Sequence, residues 1–167
     1  MTPLPGRGPG STRPAGHPSS PPASRPPASS PPASPSSPGP EWDDVTVGPL
    51  TLQGLRGLES GDQGAHAAHD SDGWHYLIAA AVRDGGEVTV TIGTEQRARA
   101  GLEFGGKEGM APAPSVAFHG CPDAATSYLG AFFVAGDGRA CVPLDIRVGD
   151  GAPQRVVISF FNGECPA

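Results

Sequence analysis

The sequence predicts an all-β fold, an antiparallel, immunoglobulin-like β-sandwich of about eight strands, preceded by a disordered segment rich in proline and serine. Three observations support this prediction: apolar and polar residues alternate over short stretches, glycine, proline and aspartate separate them, and no stretch has a clear helical period. The clearest stretch is 139–161, a predicted hairpin. Val142, Leu144, Ile146 and Val148 share one face of its first arm.

The second arm of this hairpin, Arg155 to Phe161, follows the turn residues Gly149-Asp150-Gly151. It is apolar on both faces, which predicts a strand in the middle of a sheet rather than at its edge.

The earlier strands follow from the same alternation. Trp74 to Val82 is almost continuously apolar, and its Trp, Tyr and Ile residues favour a buried strand over a short helix. Residues 56–73 and 105–114 lack an apolar period and are predicted as loops. The remaining predicted strands are 42–47, 50–55, 88–92, 95–104, 114–119 and 127–135.

Residues 1–40 contain 14 of the 21 prolines and nine serines, with Met1 and Leu4 as their only large apolar residues. Such a segment buries too little apolar surface to offset its chain entropy, so it is predicted to be disordered. Pro-Pro-Ala-Ser recurs every five residues from Pro21, which favours polyproline II and a semi-rigid stalk or linker before a domain at 41–167.

The charge of the chain limits its partners. Of its 11 Lys and Arg residues, three lie in 1–40, and all 17 acidic residues lie in 41–167, which leaves that part with a net charge of −9. An acidic domain without a basic stripe argues against binding to nucleic acid and against docking on anionic lipid.

The chain has no apolar run of the roughly 18 residues that span a bilayer, so no membrane insertion is predicted. It also lacks a signal peptide, which taken literally indicates the cytoplasm. A proline-rich stalk, however, is typical of a module held away from something upstream. We therefore expect a secreted or cell-surface protein whose given start is misplaced or truncated.

The three cysteines can be placed by strand direction. Successive predicted strands alternate in direction, which puts Cys141 and Cys165 at one end of the sandwich and Cys121 at the other. A Cys141–Cys165 bridge is therefore favoured, with Cys121–Cys141 as the alternative and three reduced thiols as a third reading. The favoured bridge would stabilise the fold by roughly 3 kcal/mol, and any disulfide indicates an oxidising compartment.

Several motifs in the C-terminal part carry a resemblance. They are Cys121-Pro122, Gly130-Ala131-Phe132-Phe133, Cys141-Val142-Pro143-Leu144-Asp145, and Ser159-Phe160 followed by Gly163 and Cys165. In these motifs the chain resembles a group of uncharacterised actinobacterial proteins that are commonly exported or membrane-anchored and have a C-terminal all-β domain. The resemblance implies an extracytoplasmic β domain, and it implies no activity.

The best candidates for chemistry are His66, His69, Asp70, Asp72 and His75. Imidazoles and carboxylates are good ligands for divalent metals, and His66 and His69 would share a face in a helical turn. Their spacing matches no established zinc motif, and Asp70 to Gly73 lacks the further ligands of a calcium loop. The alternative is a solvated polar loop with a turn at Asp70.

Two phenylalanine pairs, Phe132-Phe133 and Phe160-Phe161, would point to both faces of their strands. Either the outer face is covered by another segment, such as 74–82, or an aromatic patch is exposed and marks a partner site.

No cofactor motif and no catalytic motif is evident in the sequence. The favoured function is a non-catalytic binding or structural module at the cell surface, with an unknown protein or a cell-wall ligand as its partner. The alternative is a metal-dependent hydrolase that uses His66, His69 and His75.

Overall fold

The computed structural model describes residues 43–105 and 111–165. The predicted stalk at 1–40, the Trp42 start of the first strand and the centre of the predicted 105–114 loop lie outside these residues. The described residues form two short 3-10 helices, Leu55–Glu59 and Gln63–Ala65, and ten strands. The strands are β1 Val45–Val47, β2 Leu50–Gln53, β3 Ala67–His69, β4 Gly73–Val82, β5 Glu87–Ile92, β6 Ala100–Phe104, β7 Ser115–His119, β8 Thr126–Ala135, β9 Ala140–Val148 and β10 Gln154–Phe160.

The ten strands pair antiparallel in two sheets. The larger sheet has the order β1-β2-β4-β8-β6, and β3 pairs with β4 beyond the end of β2. The smaller sheet has the order β10-β9-β5-β7. The predicted all-β fold with two antiparallel sheets is therefore confirmed, with ten strands where about eight were expected. Within the described residues, no helix has the length and apolar character needed to cross a bilayer.

The longest pairing in the molecule joins β4 to β8. It runs without interruption from Gly73 opposite Ala135 to Val82 opposite Thr126, which confirms the strand prediction for 74–82. Side chains alternate across a strand, so Tyr76, Ile78 and the following even-numbered residues of β4 point into the core.

The core between the sheets is mostly aliphatic, with an aromatic cluster around Tyr76. The rings of Phe160 and Phe161 each lie 5.2 Å from the Tyr76 ring, measured between centroids. The buried Tyr76 hydroxyl donates to the Gly138 carbonyl at 2.6 Å and accepts a hydrogen bond from the Gln63 side chain at 2.7 Å. Burial raises the pKa of Tyr76, so the hydroxyl stays protonated and can donate.

The second hairpin arm was predicted to lie in the middle of a sheet, and this prediction was wrong. β10 stands at the end of its sheet order, and Val157 on its outer face is 43% exposed. Phe161 is nevertheless buried because its φ of 45° takes the chain out of the strand and turns the ring onto Tyr76. This turn accounts for the burial of Phe161 but not for the apolar Val157, and Tyr76 of β4 packs on both Phe160 and Phe161.

Two segment predictions also need correction. The region 56–73, predicted as a loop, contains both 3-10 helices and β3, and its buried Leu58 was not recognised as a core residue. The strand predicted from residue 95 begins at Ala100, because residues 94–99 form turns in which Gln96 accepts the backbone N–H groups of Arg99 and Ala100.

The favoured disulfide is confirmed. Cys141 and Cys165 are bonded, and their Cα atoms lie 4.9 Å apart. The bridge ties the segment after β10 to the start of β9, and Cys121 is an exposed, free cysteine among the described residues. The alternative Cys121–Cys141 pairing was therefore wrong.

The Tyr76 hydroxyl gives a direct test of this core. We expect Tyr76→Phe to lower the free energy of unfolding by about 1–3 kcal/mol, because the buried Gly138 carbonyl loses its donor. Chemical denaturation of the wild type and the variant measures this loss.

Tyr128→Phe is the matched control. The Tyr128 hydroxyl also donates to a carbonyl, that of His119 at 2.6 Å, but at an exposed site. Its loss should cost clearly less, and equal losses for the two variants would contradict the role assigned to Tyr76.

Candidate functional site

The predicted site residues lie on a hairpin formed by β3 and β4. Asp70 makes the turn: its Oδ1 accepts the backbone N–H groups of Asp72 at 2.8 Å and Gly73 at 3.1 Å. This confirms the interpretation of Asp70 to Gly73 as a turn. The turn places the second carboxylate oxygen of Asp70 next to the outer face of the larger sheet.

His75 lies on that outer face between two carboxylates. Its Nε2 is 3.1 Å from Asp70 Oδ2, and its Nδ1 is 2.8 Å from Glu103 Oε2. Glu103 belongs to β6, so its side chain reaches past β8 to contact His75 on β4. The three side chains form an acid–imidazole–acid bridge across the sheet, which we call the His75 bridge.

The bridge favours a charged imidazole. The hydrogen bond to Glu103 raises the pKa of His75 most, partial burial lowers it, and the hydrogen bond to Asp70 raises it further, with a net increase. The backbone hydrogen bonds from Asp72 and Gly73, followed by the bond to His75, lower the pKa of Asp70. When the imidazole is protonated, both ring nitrogens of His75 donate to carboxylates.

The other predicted site residues do not join this bridge. The His69 ring packs on Trp74 with centroids 4.7 Å apart, and the His66 ring lies 6.3 Å from that of Phe161. Asp72 accepts a hydrogen bond from Ser71. In residues 43–105 and 111–165, no group of three or more His, Cys, Asp or Glu side chains is arranged to hold a metal ion. Of the five predicted residues, the structure thus brings together Asp70 and His75.

Glu103 is the bridge residue that sequence reasoning missed. The alternation of Ala100, Leu102 and Phe104 places Glu103 on the outer face of its strand, and this was the available signal. The order of strands that brings β6 within reach of β4 is not readable from the alternation, because it depends on pairings between distant segments.

An apolar region lies beside the His75 bridge on the same face. Leu77 of β4 is 72% exposed and Leu129 of β8 is 83% exposed. Leu77 stands opposite Ala131, and Ala79 stands opposite Leu129, so each leucine pairs with an alanine across the two strands. We call these four residues, Leu77, Ala79, Leu129 and Ala131, the apolar face.

Phe133 borders the apolar face at the end near the bridge. Its ring is half-buried and lies 5.3 Å from the His75 ring, measured between centroids. A side chain at Gly73 would collide with Phe133, since a Cβ there would lie 2.9 Å from the ring. The Phe132-Phe133 pair thus places one ring in the core and the other on the outer face.

The outer face of the smaller sheet differs in character. Arg155 of β10 pairs with Asp145 of β9 and with Glu95, and the outer residues of β5 include Thr89 and Thr91. Exposed leucines therefore lie on one side of the sandwich, and the ion pairs of Arg155 lie on the other.

A polar cleft of about 440 Å³ lies at the end of the sandwich that carries the disulfide. It is lined by both charge types, and its polar lining includes Gln96, Arg99, Asp137, Arg139, Asn162 and Glu164. The side-chain oxygen of Gln96 is buried and accepts no hydrogen bond from the described residues. Two guanidinium groups and two carboxylates balance each other, so the cleft shows no preference for an anion or a cation.

No protein-family model, curated protein or solved structure matches this chain.

The His75 bridge predicts a specific dependence of stability on pH. The pKa of His75 is raised in the folded state above its ordinary value of 6.5, so the stabilisation is fully present below 6.5 and is lost as pH rises through the folded-state value. We expect His75→Gln to destabilise the domain most near pH 6 and least near pH 9. Urea denaturation of both proteins at several pH values measures the difference.

His119→Gln is the control, because the exposed His119–Glu87 pair, at 3.5 Å, is expected to contribute little. A difference between wild type and His75→Gln that grows from pH 6 to pH 9 would contradict the bridge.

Proposed function

We propose that the domain is a non-catalytic binding module displayed outside the cytoplasm, and that the outer face of its larger sheet binds a protein with a flat, apolar surface. The observation that carries the proposal is the exposure of Leu77 and Leu129 at the centre of this face. An exposed apolar patch with a polar border is typical of a protein–protein interaction site.

The surroundings of the apolar face support a protein partner. The neighbouring outer positions on β2 and β8 are Thr51, Gln53 and Ser127, which are polar and uncharged. The His75 bridge borders the opposite end with charges that are already paired. A partner can therefore cover the leucines without burying an unpaired charge, which would be costly.

The geometry of the bridge also supports a role without catalysis. A histidine base needs one free ring nitrogen to accept a proton from a substrate. Asp70 and Glu103 engage the two ring nitrogens of His75. The hydrogen bond to Glu103 is the largest cause of the raised pKa of His75. The bridge is suited to holding the β3–β4 turn against the sheet at the border of the binding face.

The Cys141–Cys165 disulfide supports the placement outside the cytoplasm. Structural disulfides form and persist in oxidising compartments and are rare in the cytosol. The free Cys121 does not weaken this argument, because it lies on the surface away from the bonded pair.

Dye binding tests the proposed face. We expect 8-anilinonaphthalene-1-sulfonate to fluoresce with the folded wild type, and the Leu77→Ser/Leu129→Ser double variant to lose most of this signal, because the apolar surface is removed. Fluorescence titration measures the loss, and circular dichroism confirms that both proteins are folded.

Val157→Ser is the matched control, since Val157 is an exposed apolar residue on the outer face of the smaller sheet. It should keep the wild-type signal. If the double variant binds dye as well as the wild type does, the proposed face is wrong.

Thiol labelling with cell fractionation tests the compartment. Protein purified from native cells without reductant should react with iodoacetamide at Cys121 alone, and at all three cysteines after denaturation and reduction. It should be recovered outside the cytoplasm. Recovery in the cytosol with three reactive thiols would contradict the extracytoplasmic placement.

A further inference from the structure

We infer that the occupant of the apolar face is a second copy of this chain, packed face to face about a two-fold axis. This inference rests on the proposed function, because it names the partner of the same surface. Its basis is the pattern of large and small side chains across β4 and β8.

The four residues of the apolar face form a checkerboard. In one cross-strand pair Leu77 lies on β4 and Ala131 on β8, and in the next pair Ala79 lies on β4 and Leu129 on β8. The two leucines are therefore diagonal neighbours, and so are the two alanines. Such diagonal positions on one face lie within reach of each other.

When two copies are related by a two-fold axis in the plane of the interface, the leucines of one copy face the alanines of the other. With the axis along the strands, Leu129 of the second copy faces Ala79 and Leu77 faces Ala131. With the axis across the strands, Leu77 of the second copy faces Ala79 and Leu129 faces Ala131. Either arrangement places each leucine over an alanine, which is the self-complementarity that an isologous interface requires.

Ala79 is the more open of the two alanine positions. Ala131 is buried and stands opposite Glu103 of β6, whose side chain reaches His75, whereas Ala79 is partly exposed. In both axis orientations a leucine of the second copy lies over Ala79. The fit at Ala79 is therefore the decisive contact, whichever axis applies.

The size and charge of the face are compatible with this partner. From strand spacing and rise, the outer face of the larger sheet covers roughly 600 Å², or about 1,200 Å² for two copies, at the lower limit of specific interfaces. The outer residues from Leu77 to Ala81 and from Ser127 to Ala131 are all uncharged. Two acidic domains can thus meet here without opposing like charges at the centre.

Sedimentation equilibrium of the full chain tests the inference. All variants carry Cys121→Ser, so that a covalent dimer through the exposed thiol does not contribute. The parent protein should change from monomer to dimer with rising concentration. Leu77→Ser/Leu129→Ser should raise the dissociation constant at least tenfold, and Val157→Ser should leave it unchanged.

The Ala79→Leu variant distinguishes a specific interface from nonspecific hydrophobic association. It makes the face more apolar but fills the position that the leucine of the second copy occupies, so we expect it to raise the dissociation constant at least tenfold as well. Stronger association of Ala79→Leu than of the parent would overturn the inference.

The outcome also separates this inference from the proposed function. A parent protein that stays monomeric at all concentrations, while dye binding still depends on Leu77 and Leu129, would overturn the dimer and leave the binding face in place. Loss of that dye dependence at concentrations at which the parent protein is monomeric would overturn the binding face itself.

Discussion

The uninterrupted pairing of β4 with β8 is the constraint on which the rest of the larger sheet depends. Because side chains alternate along a strand, this one register decides which residues enter the core and which face outward. It sends Tyr76 into the aromatic cluster and leaves its neighbour Leu77 on the surface. A shift by one residue would bury the exposed leucines and expose the Tyr76 hydroxyl, so the core and the outer face are specified together.

The two outer faces of the sandwich present different kinds of side chain to their surroundings. A sheet that packs on a core with one side must present its other side to water or to a partner. The smaller sheet does so with threonines and with the ion pairs of Arg155. The larger sheet presents leucine and alanine at its centre and places its charges at one end, where the His75 bridge pairs them.

The fold could largely be predicted from the sequence, and the reason is local. The alternation in residues 139–148 and the apolar run from Trp74 to Val82 report burial directly, and strand direction alone placed Cys141 beside Cys165. The β3 strand was missed because its three residues, Ala67 to His69, are too few to show a period. β10 was misplaced because Phe161 is buried by a turn with positive φ, which hydrophobic pattern does not report.

The candidate site was less predictable, because it depends on pairings between distant strands. The sequence singled out five residues near one another in the chain, of which Asp70 and His75 meet. Their partner Glu103 comes from β6, and the leucines of the apolar face come from β4 and β8. Exposure of Leu77 cannot be read from its neighbours, since a strand apolar on both faces suits a covered sheet equally well.

The disulfide has a consequence for how the domain transmits mechanical load. Tension that arrives at Cys165 passes through the sulfur bridge to Cys141 at the start of β9, so the loop closed over a separation of 24 residues, which holds most of β9 and all of β10, is bypassed. At about 3.4 Å per extended residue, the bridge reduces by roughly 80 Å the length that the chain gains when it is pulled apart. The covalent loop therefore keeps β10 close to its partner strand β9 even when the rest of the sandwich is stretched open.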